Sequence, residues 1–329
     1  ACDGDGLTDD LAWIRLRLTV DGSEIVADFS ESGPEARGGI NCPYAVTVSA
    51  TYFALKAFID PSNPVNSGSY RPIRVVTRPG TLVHAGPDAA VAGATGETAN
   101  VMVDVVLGAL SAAAPDQAIA AGSGTAMGAI FAGPRRATAG GGRGFYVEPH
   151  GSCWGARSHA DGVSGRRVGT GNAGNQPVEV VESTYPIRIR EYALARDTAG
   201  AGRYRGGLPI RRVYEARDDF VLTVTGERAR RAPHGIAGGG PGRVADLRLN
   251  PGTDRERVLP SKTEPIELHA GDVVLLQAAG GGGYGDPRTR PRAEVRADVL
   301  DGYVSPAAAT ADYGATAEDL DEADEGVDR

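Results

Sequence analysis

Two periods alternate along the chain. Period-2 alternation of apolar and polar positions, the mark of half-buried strands, runs through residues 13–20 (WIRLRLTV), 24–29 (EIVADF) and 186–194 (PIRIREYAL), where Ile187 and Ile189 alternate with Arg188 and Arg190, and resumes at 208–215. The same patterning predicts strands at 73–76, 118–124, 126–132, 145–148, 220–225, 244–249, 266–268 and 273–277. Two longer apolar stretches read as helices: 44–59, stopped by Asp60–Pro61, and 98–114, with Thr98 placed as N-cap and Pro115 just past its end. The second is apolar nearly all round, which predicts a central position in the core. Asp21–Gly22 between the first two strands predicts a tight hairpin. Shorter helices are expected at 292–300 and 306–313, the latter opened by Ser305–Pro306. Strands outnumber helices and cluster in the second half, so the fold class expected is α+β: strand-rich mixed sheets with a few core helices.

The expected organisation is an N-terminal α+β part over 1–171, a β-rich part over 172–287, short C-terminal helices over 288–317 and an acidic, disordered tail over 318–329 (EDLDEADEGVDR). Glycine, at 47 of 329 residues, is about twice its usual share. Without a collagen period, it predicts many tight turns between short strands. A net charge of −8 argues against a nucleic-acid partner. No apolar run reaches the roughly 20 residues of a membrane span. Cys2, Cys42 and Cys153 are too scattered for a ligand set or a disulfide framework, which suits reduced thiols in a cytoplasmic protein.

Four groups of residues could carry chemistry. Glu148-x-His150 with His159-x-Asp161 offers acid–base or metal-ligand types, though at no standard spacing; the plainer reading is polar loop residues that cap turns. Gly281, Gly282 and Gly283, in the run 280–283, could present backbone N–H donors to an anion, or could serve close backbone approach. Asp3–Gly4–Asp5–Gly6 lacks the remaining oxygens of a calcium loop and reads as a turn. Arg71, Arg157, Arg203 and Arg205 sit on glycine-containing loops suited to carboxylate or phosphate ligands, and equally to ion pairs. The glycine-dense loops 197–207 and 280–286 are expected to approach each other and line one cleft. Ile14, Leu16 and Leu18 in the first hairpin are expected to form an exposed apolar face that needs a neighbour.

The stretch 172–215 resembles the hydantoinase B/oxoprolinase family, the HyuB-type subunit also found in acetone and acetophenone carboxylases. The residues that carry the likeness are Asn175, Pro177, Glu179, Glu182, Pro186, Glu191–Tyr192, Asp197, Gly200, Gly202 and Arg205–Gly206–Gly207–Leu208. It continues through Asp28–Phe29, Gly39–Ile40–Asn41, Arg71–Pro72–Ile73, Pro260–Ser261–Lys262, Ala270–Gly271–Asp272 and the run 280–287. No single motif is diagnostic; their order and spacing are. The resemblance implies an ATP-dependent hydrolase of cyclic amides, of the N-methylhydantoinase or 5-oxoprolinase kind, or alternatively a ketone carboxylase. It implies a HyuA-type partner that holds ATP and Mg2+. It raises Asp161 as a catalytic candidate; Arg157 and Glu148 are the further catalytic candidates by residue type, and Arg203, Arg205, Gly281–Gly283 and Arg71 the substrate-binding ones. The family's metal signature, of the form N-D-P-x-x-G-G-T-H-x-x-D, does not occur in these 329 residues. A divalent metal (Zn or Mn) is therefore expected only in a missing N-terminal half, and no metal ligands are assigned in this chain. A third reading is a non-catalytic assembly fragment.

Overall fold

The computed structural model describes residues 1–321. Its first layer is a three-stranded sheet of β1 (Arg17–Asp21), β2 (Glu24–Asp28) and β3 (Ile73–Val76), in the order β1-β2-β3, with β2 and β3 parallel. Two helices pack with it, α1 (Tyr44–Ile59) and α3 (Ala99–Ala113), while α2 (Ser67–Tyr70) is a single turn between α1 and β3. One apolar cluster joins them through Ile14, Phe29, Leu55, Leu82, Met102 and Val106. Leu16 and Leu18 pack against that cluster and Ile14 is buried in it, so the exposed hairpin face expected from the alternation is covered by the chain's own helices.

Two local expectations are corrected here. The hairpin loop is Gly22–Ser23, since Asp21 pairs with Glu24, and Gly22 alone carries the positive φ (58°). That fits a turn needing glycine at its first central position. Thr98 does not cap α3: a π-helical turn, Ala94–Thr98, already precedes it, and the Thr98 hydroxyl donates instead to the Ile40 carbonyl at 2.5 Å.

The second core lies between two antiparallel sheets. One is β10-β9-β12-β7-β6, built from β6 (Ile187–Leu194), β7 (Ile210–Ala216), β9 (Asp246–Leu249), β10 (Arg257–Val258) and β12 (Val273–Gln277). The other is β11-β8-β4-β5, from β4 (Gly128–Pro134), β5 (Arg143–Pro149), β8 (Phe220–Thr225) and β11 (Ile266–Leu268). Phe131 of the smaller sheet meets Tyr214 of the larger at 5.1 Å between ring centroids and Tyr146 at 5.9 Å, so the inner faces share one aromatic centre. β4 and β5 precede residue 172, yet β4 pairs with β8 and carries β5 on its other edge, so this core draws on both of the segments expected from the sequence. A short helix, α4 (Val178–Thr184), leads into β6.

At one end of the sandwich the chain leaves both sheets and forms a third kind of packing. β4 and β7 begin there, β5, β8 and β12 finish there, and the flanking segments converge. The run 280–283 lies among them. Its N–H groups donate to Arg243, Gly207, Ala121 and Gly240 in turn, at 2.8–3.0 Å. The first and fourth partners belong to the same segment, so the bonding direction repeats every three residues, as in an extended polyproline II-type helix. A β-strand bonds two neighbours; this run bonds three. The segment 118–124, expected to be a strand, is one of its neighbours instead, through the Gly282 to Ala121 bond. Such spacing leaves no room for side chains. A Cβ on Gly280, Gly281, Gly282 or Gly283 would lie 1.8, 2.2, 2.1 or 2.2 Å from a backbone oxygen. Much of the glycine excess therefore serves backbone contact, where composition suggested turns.

The C-terminal helices α5 (Arg292–Leu300), α6 (Pro306–Tyr313) and α7 (Ala317–Asp321) share a small core of Val295, Val304, Ala309 and Tyr313. α7 falls partly where the composition suggested a disordered tail. Thr316 and Asp319 exchange side-chain to backbone bonds (2.7 and 3.2 Å), a reciprocal cap that starts the helix. The remainder of the expected tail, 322–329, lies outside the described residues.

Replacing Gly282 with alanine should cost about 3 kcal/mol or more, because backbone rather than a pliable side chain must move. Replacing Gly108 with alanine, in the interior of α3 with open space at the Cβ position, should instead stabilise by about 0.5–1 kcal/mol. Thermal unfolding of the two variants checks both signs.

Candidate functional site

Asp161, Arg203 and Arg205 come together, but their charges are already answered. Arg290 grips Asp161 with both terminal nitrogens, Nη1 to Oδ1 and Nη2 to Oδ2 at 2.8 Å each, and reaches Asp298 Oδ2 at 2.9 Å. Arg205 is buried, with Nε 3.2 Å from Asp298 Oδ1 and its guanidinium stacked on Tyr303. Arg203 pairs with Glu294 at 3.0 Å. Asp298 and Glu294 are on α5, so this network fastens the C-terminal helices to the glycine bundle. Burial would raise the Asp161 pKa, but the Arg290 bonds and the Arg290 and Arg205 charges hold it below the usual carboxylate range.

Glu148 lies elsewhere, sealed between the two sheets. It pairs with Arg212 across the sandwich at 2.6 Å and accepts from the Tyr146 hydroxyl. Arg212 is itself buried, stacks on Tyr192 at 4.1 Å and bonds Asn175 Oδ1. His150 beside it is fully buried, with Nε2 2.8 Å from the Ile210 carbonyl; burial keeps it neutral, its pKa pushed down to about 4. His159 is exposed. The group Glu148, His150, His159 and Asp161 is thus not assembled: two members are interior, one faces solvent and one is held by arginines. Arg157 is half-buried in a tight turn closed by its own N–H to Ala160 at 2.9 Å. Arg71 is exposed at the end of α2, apart from the other candidates.

The two glycine loops do meet, with Gly200 N to Gly281 O at 2.8 Å and Gly281 N to Gly207 O at 3.0 Å. Their meeting fills space instead of opening a cleft. The N–H groups of Gly281, Gly282 and Gly283 all donate to backbone carbonyls, so none is left for a substrate oxyanion or a nucleotide phosphate. The donor set does not fit a metal either: among the described residues no three His, Cys, Asp or Glu side chains are placed to share an ion.

Sequence reasoning passed over one buried group of charges. Lys262 Nζ lies 2.6 Å from Glu227 Oε1, Asp3 N donates to Glu227 Oε2 at 2.7 Å, and Glu97 accepts from Thr125 at 2.6 Å close by. Burial, opposed by Lys262 and reinforced by Glu97, pushes the Glu227 carboxyl up to about 7. Lys262 and Asp3 also line a cleft of about 890 Å3. The available signal was that Lys262 is one of only two lysines among 34 basic residues.

This architecture, two antiparallel sheets closed at one end by a glycine bundle and flanked by a small α/β layer, defines the class; the comparisons narrow it. The chain matches the hydantoinase B/oxoprolinase family over residues 2–287 and belongs to that family. It is 35% identical to an uncharacterized protein of Methanocaldococcus jannaschii, over 93% of this chain and 52% of that one. It is 30% identical to the B-type subunit of a putative D-/L-hydantoinase from a Pseudomonas strain, over 94% of this chain and 53% of the relative. The chain therefore spans about half the length of these relatives. Among solved structures it resembles the ATP-dependent caprolactamase of Pseudomonas jessenii, with a TM-score of 0.80 and 29% identity, over 92% of this chain and 53% of that one. Acetone carboxylase shares the fold, with a TM-score of 0.77 at 17% identity over 92% of this chain and 45% of that one. No helix among the described residues is long and apolar enough to cross a membrane.

Asp161→Asn should destabilise by about 2 kcal/mol, less than a fully buried pair would lose because Asp161 is one-third exposed. Its folded pKa is depressed, so its contribution is complete above the unfolded value of about 3.9 and fades as pH falls through the folded one. The stability gap between wild type and variant should accordingly be constant near neutral pH and shrink below about pH 4; denaturant unfolding at several pH values measures it.

Proposed function

We propose that this chain is part of a HyuB-type subunit of an ATP-dependent amidohydrolase that opens cyclic amides, working with a HyuA-type partner that holds ATP and its Mg2+. The observation that carries the reading is the match to an ATP-dependent caprolactamase along 92% of the chain at 29% identity, within a family described as hydantoinase B/oxoprolinase. The likeness to acetone carboxylase, at 17% identity, speaks for the shared fold and adds nothing for carboxylation.

The geometry supports a division of labour. Lactam opening builds negative charge on the amide oxygen, and a catalyst answers it with preorganised donors. The glycine bundle cannot be that donor set, because its N–H groups are consumed within it. Its contribution is rigidity: it holds the surrounding loops at fixed spacing against the sandwich. Anion binding and any metal chemistry then fall to residues outside the glycine bundle.

The test pairs the intact HyuB-type protein with its ATP-binding partner. It follows ADP release and ring-opened product from 5-oxoproline, hydantoin and caprolactam, with acetone plus bicarbonate as the competing reaction. Product from at least one cyclic amide, strictly dependent on ATP, is the expected result. ATP turnover coupled only to the ketone would replace this reading with carboxylation.

A further inference from the structure

A cleft of about 360 Å3 opens where β5 ends and β6 passes, bounded by the loop 163–175. Ser164, Arg166, Arg167, Asn172, Asn175 and Tyr192 supply its polar lining, and no carboxylate is among the lining residues. In a chain of net charge −8, a concavity whose only charged groups are two guanidiniums is against the average. Neither arginine forms an ion pair among the described residues. The acids whose charge reaches Arg167 are outside the lining: Glu148 is paired with Arg212, and Glu97 accepts from Thr125.

The donors around the cleft are held in place. Arg167 Nη2 is anchored on the Ala126 carbonyl at 2.7 Å, while its Nε is buried with no partner. The Asn175 Oδ1 is taken by the buried Arg212, which leaves the Asn175 amide nitrogen as the group with donors to spare. The same Arg212 stacks on the Tyr192 ring and fixes it at the rim. The loop's own backbone is pinned by Gly165 N to Leu208 O at 2.8 Å, and the opposite wall by Ile210 N to Gly151 O at 3.2 Å.

We propose that this cleft is a binding subsite for a small molecule that carries a carboxylate or phosphoryl group. Guanidinium and amide donors on one lining that includes no carboxylate are what such an oxyanion requires. The proposal stands on the cleft alone and does not depend on the amidohydrolase reading. The two meet in one consequence: a cyclic amide with its own carboxylate would be held better than a neutral one.

Isothermal titration of the intact protein, without partner or ATP, tests it with three probes: inorganic phosphate, 5-oxoproline as the carboxylate, and neutral caprolactam. At least one anion should bind saturably, and which one does identifies the oxyanion preferred; caprolactam should bind at least tenfold more weakly. Arg166→Glu should weaken the anion at least tenfold and, because Arg166 is exposed, leave the unfolding temperature within a degree or two. Arg143→Glu, a charge reversal at another exposed position, at the far end of β5, is the control and should change binding less than twofold. Equal losses in the two variants, or no saturable binding of either anion, would overturn the subsite. Anion binding that survives while no cyclic amide is turned over would sink the activity and keep the subsite.

Discussion

The rest of the molecule depends on backbone packed directly on backbone. Around residues 280–283, successive peptide groups bond three different segments, which is possible only when no side chain separates the chains. Each glycine costs conformational entropy on folding, and the bundle offsets it by satisfying nearly every peptide group in its interior and by excluding the voids that side chains of mixed shape would leave. Because strands of both sheets run into it, the bundle sets the spacing between the sheets at that end. The C-terminal helices then dock on it through Arg290, Asp161, Arg205 and Asp298. A methyl group at Gly282 would be felt in all of these layers at once.

The interior charges add to that packing. Apolar side chains fill the sandwich itself, and ion pairs with matched geometry add links between segments: Glu148 with Arg212 between the sheets, Asp104 with Arg228, and Asp161 with Arg290. Arginine suits this role, since its planar fork meets two carboxylate oxygens while its charge persists under burial. Such pairs are weak sources of net stability, but breaking one strands its partner. Their weight is therefore in fixing which layer meets which.

Alternation and helical periodicity were enough to place most of the regular elements. The strands at 220–225, 266–268 and 273–277 and the helices at 292–300 and 306–313 stand where the patterning puts them. The family, and with it the α+β class, was also legible from ordered motifs. What the sequence hid was long-range. A three-residue bonding repeat made of glycine has no apolar signature, so residues 118–124 read as a strand, and 280–283 read either as anion donors or as a place of close backbone approach, with nothing to name the segments approached. Asp161 and Glu148 looked like free acids, because their partners Arg290 and Arg212 stand 129 and 64 positions away and nothing local announces them. The Lys262–Glu227 pair escaped for the same reason.

Once the buried charges and the bundle's peptide groups are set aside, the polar groups still available to a ligand are those on the loops the bundle holds. The arginine cleft is the clearest instance. Its walls share Gly151, Gly165 and Ile210 with the framework, and Arg212 links its rim residue Tyr192 to the Glu148 pair inside the sandwich. A binding group on a loop is usually imprecise, because the loop's own disorder must be lost on binding. Here the loop is bonded at Gly165 and Arg167, so much of that ordering is completed by the fold itself. Rigid glycine packing and exposed basic chemistry are thus two ends of one arrangement: the first commits its donors to structure so that the second can present its own without moving.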